Sequence, residues 1–321
     1  MNLNITSKVA AKFKMQVYKA SDFDANGQLK QNSKPCKETD WFDNIVLDSG
    51  LRRLSAGDAA EFLAVGSGNS TPVVTQTGLD ALLATTNVKS GFLSGRQLAT
   101  SPIYTWMRST YRFAVGAAKG NIAEVGLGWF AGTSNNMFNR ALIRDINGNP
   151  VVITVLEDEI LDVLVELRHY WKESFSGSFT LKDKTGVVIS THTYTGKPLL
   201  AADPTTFVLN NSKMISLNVL SGSMSTSYDT PPNTGWIARE NTPISSSYPT
   251  TTSERCVFRF AENSGNGSQK TLFVGIPNLV SWFPSDFNVN GYQWQIDPPI
   301  TKNNTQTLSY TFTLNWDRYT S

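Results

Sequence analysis

Val9-Ala10-Ala11-Lys12-Phe13-Lys14-Met15-Gln16-Val17-Tyr18 alternates at a period of two. Successive side chains of an extended chain leave on opposite faces, so Val9, Ala11, Phe13, Met15 and Val17 point one way. Lys12 and Lys14 point the other way, towards water. A helix would scatter the same apolar residues around its circumference. The stretch reads as a half-buried strand and makes β structure the leading expectation for the chain. Asp24-Ala25-Asn26-Gly27 is then a turn, because Asn and Gly accept positive φ cheaply.

The same period recurs downstream. Ala123, Val125, Leu127 and Trp129 share one face, and Ile122, Glu124, Gly126 and Gly128 the other. Leu161, Val163, Val165 and Leu167 point inward against Asp162, Glu166 and Arg168 outward. Phe62-Leu63-Ala64-Val65 predicts a strand entering the loop that starts Gly66-Ser67-Gly68, whose small residues let another chain approach the backbone closely. Asp145-Ile146-Asn147-Gly148 predicts a hairpin between residues 138–144 and 151–156. Asp183-Lys184-Thr185-Gly186 predicts a turn between Phe179-Thr180-Leu181 and Val187-Val188-Ile189. Further strands are expected over 214–220, 256–260, 271–276, 292–296 and 308–316. Two brief helices are expected at Asp48–Leu54, with Asp48 or Ser49 as cap, and at Thr77–Thr86, with Leu79, Leu82 and Leu83 on one side. Residues 221–253, rich in Ser, Thr and Pro, show no periodicity and predict a long exposed loop. The expected fold is all-β, a sandwich or jelly roll, with a few short helices in the N-terminal half. The one candidate boundary, near residues 171–175, divides the chain into β-rich portions 1–172 and 173–321, the second closed by a strand over 307–316.

Composition bounds the function. Of 321 residues, 40% are hydrophobic and 17% charged, enough apolar matter for a core and too little charge for a solvated, disordered chain. The net charge of +2 is spread without a basic stripe, so nucleic acid is not an expected partner. Cys36 and Cys256 are the only cysteines, and neither has the C-x-x-C neighbour of a zinc ribbon or redox motif. No apolar run approaches the roughly 18 residues of a membrane span, and the first residues lack a signal-peptide core. The expectation is a soluble product of a reducing cytoplasm, with no membrane insertion.

Reactive constellations are scarce. His169 and His192 are the only histidines, and each falls in a strand pattern. Glu157, Asp158, Glu159 and Asp162 supply the carboxylate pairs that glycoside hydrolysis needs, yet three consecutive acids before an apolar strand read as a solvated turn. Asp22-Phe23-Asp24-Ala25-Asn26-Gly27 opens like a calcium loop, but Ser33 stands where a bidentate Glu is required. Gly66-Ser67-Gly68 and Gly126-Leu127-Gly128 lack the third glycine of a dinucleotide loop, at Thr71 and Ala131. No catalytic, cofactor-binding or metal-binding residue is assigned. Trp282-Phe283 and Tyr292-Gln293-Trp294 lie near loops, where exposed aromatics stack on sugars or anchor subunits; core filling fits the same residues.

Three blocks carry a resemblance. The first runs from Trp41-Phe42-Asp43-Asn44-Ile45-Val46-Leu47-Asp48-Ser49-Gly50-Leu51 to Phe62–Pro72 and Thr75–Asp80. The second is Asn121–Trp129 followed by Phe138–Ile143. The third is Asn147–Pro150, Ile153–Leu156 and Leu161–Val163, and the closing Phe312–Arg318 agrees with them. Together they resemble a module recurring in tail-fibre, baseplate and minor structural proteins of tailed bacteriophages. The likeness covers about the first half and the last strand; residues 171–306 carry none. It implies a virion structural role in the tail, baseplate, collar or fibre, without catalytic residues. Rotational symmetry around a tail axis then implies a homotrimer or hexamer in contact with other virion proteins. A receptor-binding adhesin, whose second half meets host-surface glycan or protein, is the main alternative, and a glycan-cleaving enzyme the third. Within this reading Glu124 and Arg140, each in a strand among apolar neighbours, are expected to meet as a buried or inter-subunit ion pair that fixes register.

Overall fold

The computed structural model describes residues 2–55, 60–133, 135, 137–204, 214–232, 235–276 and 290–320. Its largest sheet is built around the opening strand, Asn2–Lys19. On one side Asn2 to Val9 pair in parallel with Thr311 to Arg318 of the Leu308–Arg318 strand, joining the two ends of the chain. On the other, Ser7 to Lys19 run antiparallel to Glu159–Trp171. The sheet continues through Tyr104–Phe113 to Lys89–Gln97 at one edge, and through Ser253–Phe260 to Ser245–Thr250 at the other. Two short strands, Lys37–Glu38 and Phe42–Asp43, pair with the opening strand beyond the point where Leu308–Arg318 leaves it.

The predicted alternation holds from Val9 to Val17, with Lys12 and Lys14 half-buried and paired with Asp43 and Glu38, while Tyr18, expected on the wet face, is buried. Leu3, Ile5, Val9, Ala11, Phe13, Met15 and Val17 are buried, while Asn4, Thr6 and Lys8 are exposed. The buried face meets two smaller layers in one continuous core. A five-stranded sheet, including Phe62–Gly66, Leu82–Thr86, Glu124–Gly128 and Asn139–Leu142, supplies Leu63, Val65, Val125 and Leu127. A six-stranded sheet runs in the order Phe175–Lys182, Val188–Leu199, Gly291–Lys302, Gly267–Gly275, Ser216–Leu220 and Trp236–Glu240. It sets the Trp294 ring 5.1 Å from Phe312 and the Tyr292 ring 5.3 Å from Trp171. With 56% strand against 3% helix, the all-β sandwich reading holds. The chain crosses between the large and six-stranded sheets at residues 172–174. Three strands from beyond that crossing, Ser245–Thr250, Ser253–Phe260 and Leu308–Arg318, return to the large sheet.

Local expectations fare unevenly. The first helix forms as Asp48–Arg53, entered from an extended Leu47 with no side-chain cap. The second does not: residues 77–81 are irregular and lead into the Leu82–Thr86 strand, whose Ala84 lies opposite Val65. Leu79 drops into a small separate core with Leu47, Ala64 and Met137, and the threonines that come after it favour extended backbone. The expected loop over 221–253 contains two strands, Trp236–Glu240 and Ser245–Thr250, whose neighbours supply the order that their own polar sequence does not signal. The turn at Asp145–Gly148 forms, closed by Gly148 N–H on the Asp145 carbonyl at 3.0 Å. Its arms then part, because Asn139–Leu142 pairs with Glu124–Gly128 and Ile153–Val155 with Gly120–Ile122. Asp24 caps its own turn, accepting from the N–H groups of Asn26 and Gln28 at 2.9 and 2.8 Å. That use of its carboxylate is local turn chemistry.

Candidate functional site

Glu124 and Arg140 meet. They stand on adjacent antiparallel strands, both side chains 0% exposed, with Arg140 Nε donating to Glu124 Oε2 at 2.8 Å. Arg140 also donates to Asp80 Oδ2 at 2.6 Å and Ser70 Oγ at 3.2 Å. Glu124 accepts three backbone N–H groups: Gly68 at 3.0 Å and Ala81 at 2.9 Å on Oε1, and Asp80 at 3.1 Å on Oε2. Four donors thus converge on one carboxylate and tie both ends of the 66–81 loop to the strand beneath it. Burial pushes the Asp80 carboxyl up, but hydrogen bonds from Ser70 and the Arg140 charge outweigh it and hold the group below its ordinary range. The glycines of this loop have a reason. A Cβ on Gly66 would lie 2.6 Å from Glu124 Oε1, and one on Gly68 would collide with the same oxygen. The group that approaches the backbone here is a carboxylate of the same chain. With its oxygens and guanidinium engaged, the cluster is a clamp that fixes register.

The acidic run separates. Glu157 and Asp158 are exposed and pair with Lys119 and Lys19. Glu159 departs from the solvated-turn expectation: it begins a strand with its side chain 1% exposed, bonded to Lys37 at 2.8 Å and Lys19 at 3.0 Å. Burial raises its pKa, but the Lys37 bond, the Leu156 N–H and the Lys19 bond together bring it down to about 2. Asp162 and Glu166 are likewise buried against Arg112 and Arg108. His192 stacks on Phe179 at 5.1 Å, with Nδ1 on the Pro298 carbonyl at 2.6 Å and Nε2 on Ser190 Oγ at 2.7 Å. Its ring is thus held by a backbone carbonyl, within one strand face. His169 is buried with its ring 4.0 Å from Trp171.

The aromatic expectation is corrected in part. Tyr292 and Trp294 are 0% exposed and fill the core against Phe175, Trp171 and Phe312, so they are not surface contacts. Their position in a central strand of the six-stranded sheet covers both faces. Trp282 and Phe283 lie outside the described residues.

Exposed apolar surface occurs elsewhere. The Phe175–Lys182 and Val188–Leu199 strands form a ribbon at the rim of the six-stranded sheet, tipped by the turn that Gly186 closes at φ 89°. Beside that turn Val187, Val188 and Ile189 are 62, 52 and 66% exposed. Among the described residues Phe175–Lys182 has a sheet partner on one side only, and it carries no charge before Lys182. The terminal strands of the large sheet's main path and the other terminal strand of the six-stranded sheet are blunted. Ser245–Thr250 holds Pro249 and a register shift, Lys89–Gln97 a shift around Gly91, and Trp236–Glu240 a charged Arg239-Glu240 end. Proline, bulges and charges are the usual devices that keep sheet edges from recruiting strands. Along Phe175–Lys182 the only irregularity falls at its last pair, Leu181/Lys182.

Sequence reasoning missed this surface, and it missed Asp80 and Ser70. The signal for the first was the unbroken triplet Val187-Val188-Ile189, which does not alternate and so cannot hide on one face of a sheet. Among the described residues no group of three or more His, Cys, Asp or Glu is placed to hold a metal ion, and no helix is long and apolar enough to cross a membrane. Cys36 and Cys256 are both free thiols. Compared with protein-family models, with curated proteins and with solved structures, the chain has no match.

Proposed function

We propose that the chain is a non-enzymatic structural component of a tailed-bacteriophage virion, in the tail, baseplate, collar or fibre region, acting through contacts with its own copies and with other virion proteins. The observation that carries the assembly half of this reading is the Phe175–Leu199 ribbon, with an unblunted outer strand and three consecutive exposed aliphatic side chains. Solvent-facing apolar clusters of this kind mark surfaces that another subunit covers. The buried ion clusters at Glu124–Arg140–Asp80 and Glu159–Lys37 support it from the other side: they stiffen the body that such a surface must present. The virion half rests on the sequence blocks at 41–80, 121–163 and 312–318. Antibody against the folded chain, applied to intact particles of the phage that encodes it, tests both together. Decoration at a fixed axial position is the expected result. Unlabelled particles, in a preparation whose mass spectrum also lacks the chain, overturn the proposal.

A further inference from the structure

On the outer face of the large sheet the opening strand changes neighbours. Leu308–Arg318 leaves it after Val9, and Phe42–Asp43 joins it at Lys12. Ala10 and Ala11 therefore lie between two strand ends, and a cleft of about 690 Å³ opens over them. That size falls in the range of about 300–1,000 Å³ typical of small-molecule sites.

One wall is aromatic. Tyr170 and Tyr319 stack with ring centroids 3.7 Å apart and planes 7° from parallel, and Tyr104 lies 5.1 Å from Tyr170. Tyr319 is partly exposed. Arg168 packs over Tyr104 at 4.6 Å and lines the cleft. Its charge is incompletely matched. Glu166 bonds Arg168 through Oε1 at 2.6 Å and Arg108 through Oε2, so two guanidiniums share one carboxylate. The other cations of the cleft have their own acids: Lys12 pairs with Asp43 at 3.1 Å and Arg318 with Asp48.

Asn44 also lines the cleft. Both polar atoms of its amide are enclosed and make no hydrogen bond with the protein. An enclosed amide without partners costs stability that an apolar side chain of similar size would not. A buried group left unsatisfied in this way is one that a bound water, ion or ligand can complete.

We propose that this cleft binds a single acidic sugar unit. Rotation about the Cα–Cβ bond of Asn44 presents a donor and an acceptor that match neighbouring hydroxyls. The tyrosine wall offers a flat surface to the apolar face of a pyranose, and Arg168 takes its carboxylate or sulfate. A polyanion such as nucleic acid fits poorly, because one surplus charge does not make a basic track.

The test uses the full chain, titrated calorimetrically with hexuronate, sialylated and sulfated trisaccharides and with neutral trisaccharides of equal length. At least one acidic sugar should bind saturably, the neutral ones should not, and added salt should weaken the complex. Tyr319→Ala should weaken binding about tenfold or more, as expected for a lost stacking surface. Asn44→Leu separates function from folding: it should raise the melting temperature while weakening binding. The proposal is overturned if no acidic sugar binds, if neutral sugars bind equally, or if Asn44→Leu leaves affinity unchanged.

Discussion

Replacing Glu124 by Gln preserves shape and removes the charge that organises the 66–81 loop. In the native chain the carboxylate accepts from Gly68, Asp80, Ala81 and Arg140 at 2.8–3.1 Å. Glutamine has one carbonyl oxygen, so at least one pair of those donors would face an NH2 group. Arg140, 0% exposed, would keep Asp80 but lose its buried partner. Breaking a buried ion pair on one side costs about 3–5 kcal/mol. With an unfolding entropy of about 2.1 cal/mol/K per residue, 321 residues give ~0.7 kcal/mol/K, so a loss of ~4 kcal/mol lowers a single cooperative Tm by about 6 °C. Circular dichroism melts of Glu124→Gln beside Glu157→Gln, whose parent side chain is 76% exposed, provide the comparison. The exposed variant should melt with the parent. A Glu124→Gln midpoint within about 1 °C of the parent, under ~1 kcal/mol on the same scale, would refute the clamp.

Gly68→Ala attacks the same clamp from the loop side. Its Cβ would collide with both Glu124 Oε1 and Asp80 Cβ, so it should destabilise by a similar amount in the same melts. Stability should also fall in acid through Glu159. Its pKa is held near 2 in the fold against 4.5 in an open chain, so its contribution is complete above about 4.5 and disappears as the pH drops towards 2. Urea titrations between pH 5 and 2 should show that slope, and Glu159→Gln should flatten it. Phe312→Ala removes a fully buried ring between Trp294 and Phe258 and should cost about 3–5 kcal/mol by urea denaturation, as large-to-small core changes do.

The parts of this fold that could be read in advance are those where one face is wet and the other dry. The strand Asn2–Lys19 announces itself because its own alternation carries the sheet's two environments. Glu159–Trp171 alternates in sequence as well, but its polar face is covered by Arg108 and Arg112, which bury Glu166 and Asp162. Thr77–Thr86 does not announce itself, since the spacing of Leu79, Leu82 and Leu83 suits a helix, whereas tertiary packing buries Leu79 with Leu47, Ala64 and Met137 in an irregular segment. Glu124 and Arg140 were legible as two charges set among apolar neighbours in strands. Asp80 and Ser70 were not, being 60 and 70 residues from Arg140 and joined to it only through folding. Glu159 looked like its exposed neighbours because the lysines that bury it come from residues 19 and 37. The cleft over Ala10 depends on where two strands end, and strand ends leave the weakest trace in local sequence.

A rigid β body whose exposed ribbon is covered by sister subunits is the central claim. Native mass spectrometry of the purified chain, beside a Val188→Asp, Ile189→Asp variant, addresses it most directly. The parent should appear at three or six times the mass of one chain, and the variant as a single chain with an unchanged melting temperature. A parent that stays monomeric at every concentration, or a variant that assembles like the parent, would contradict it.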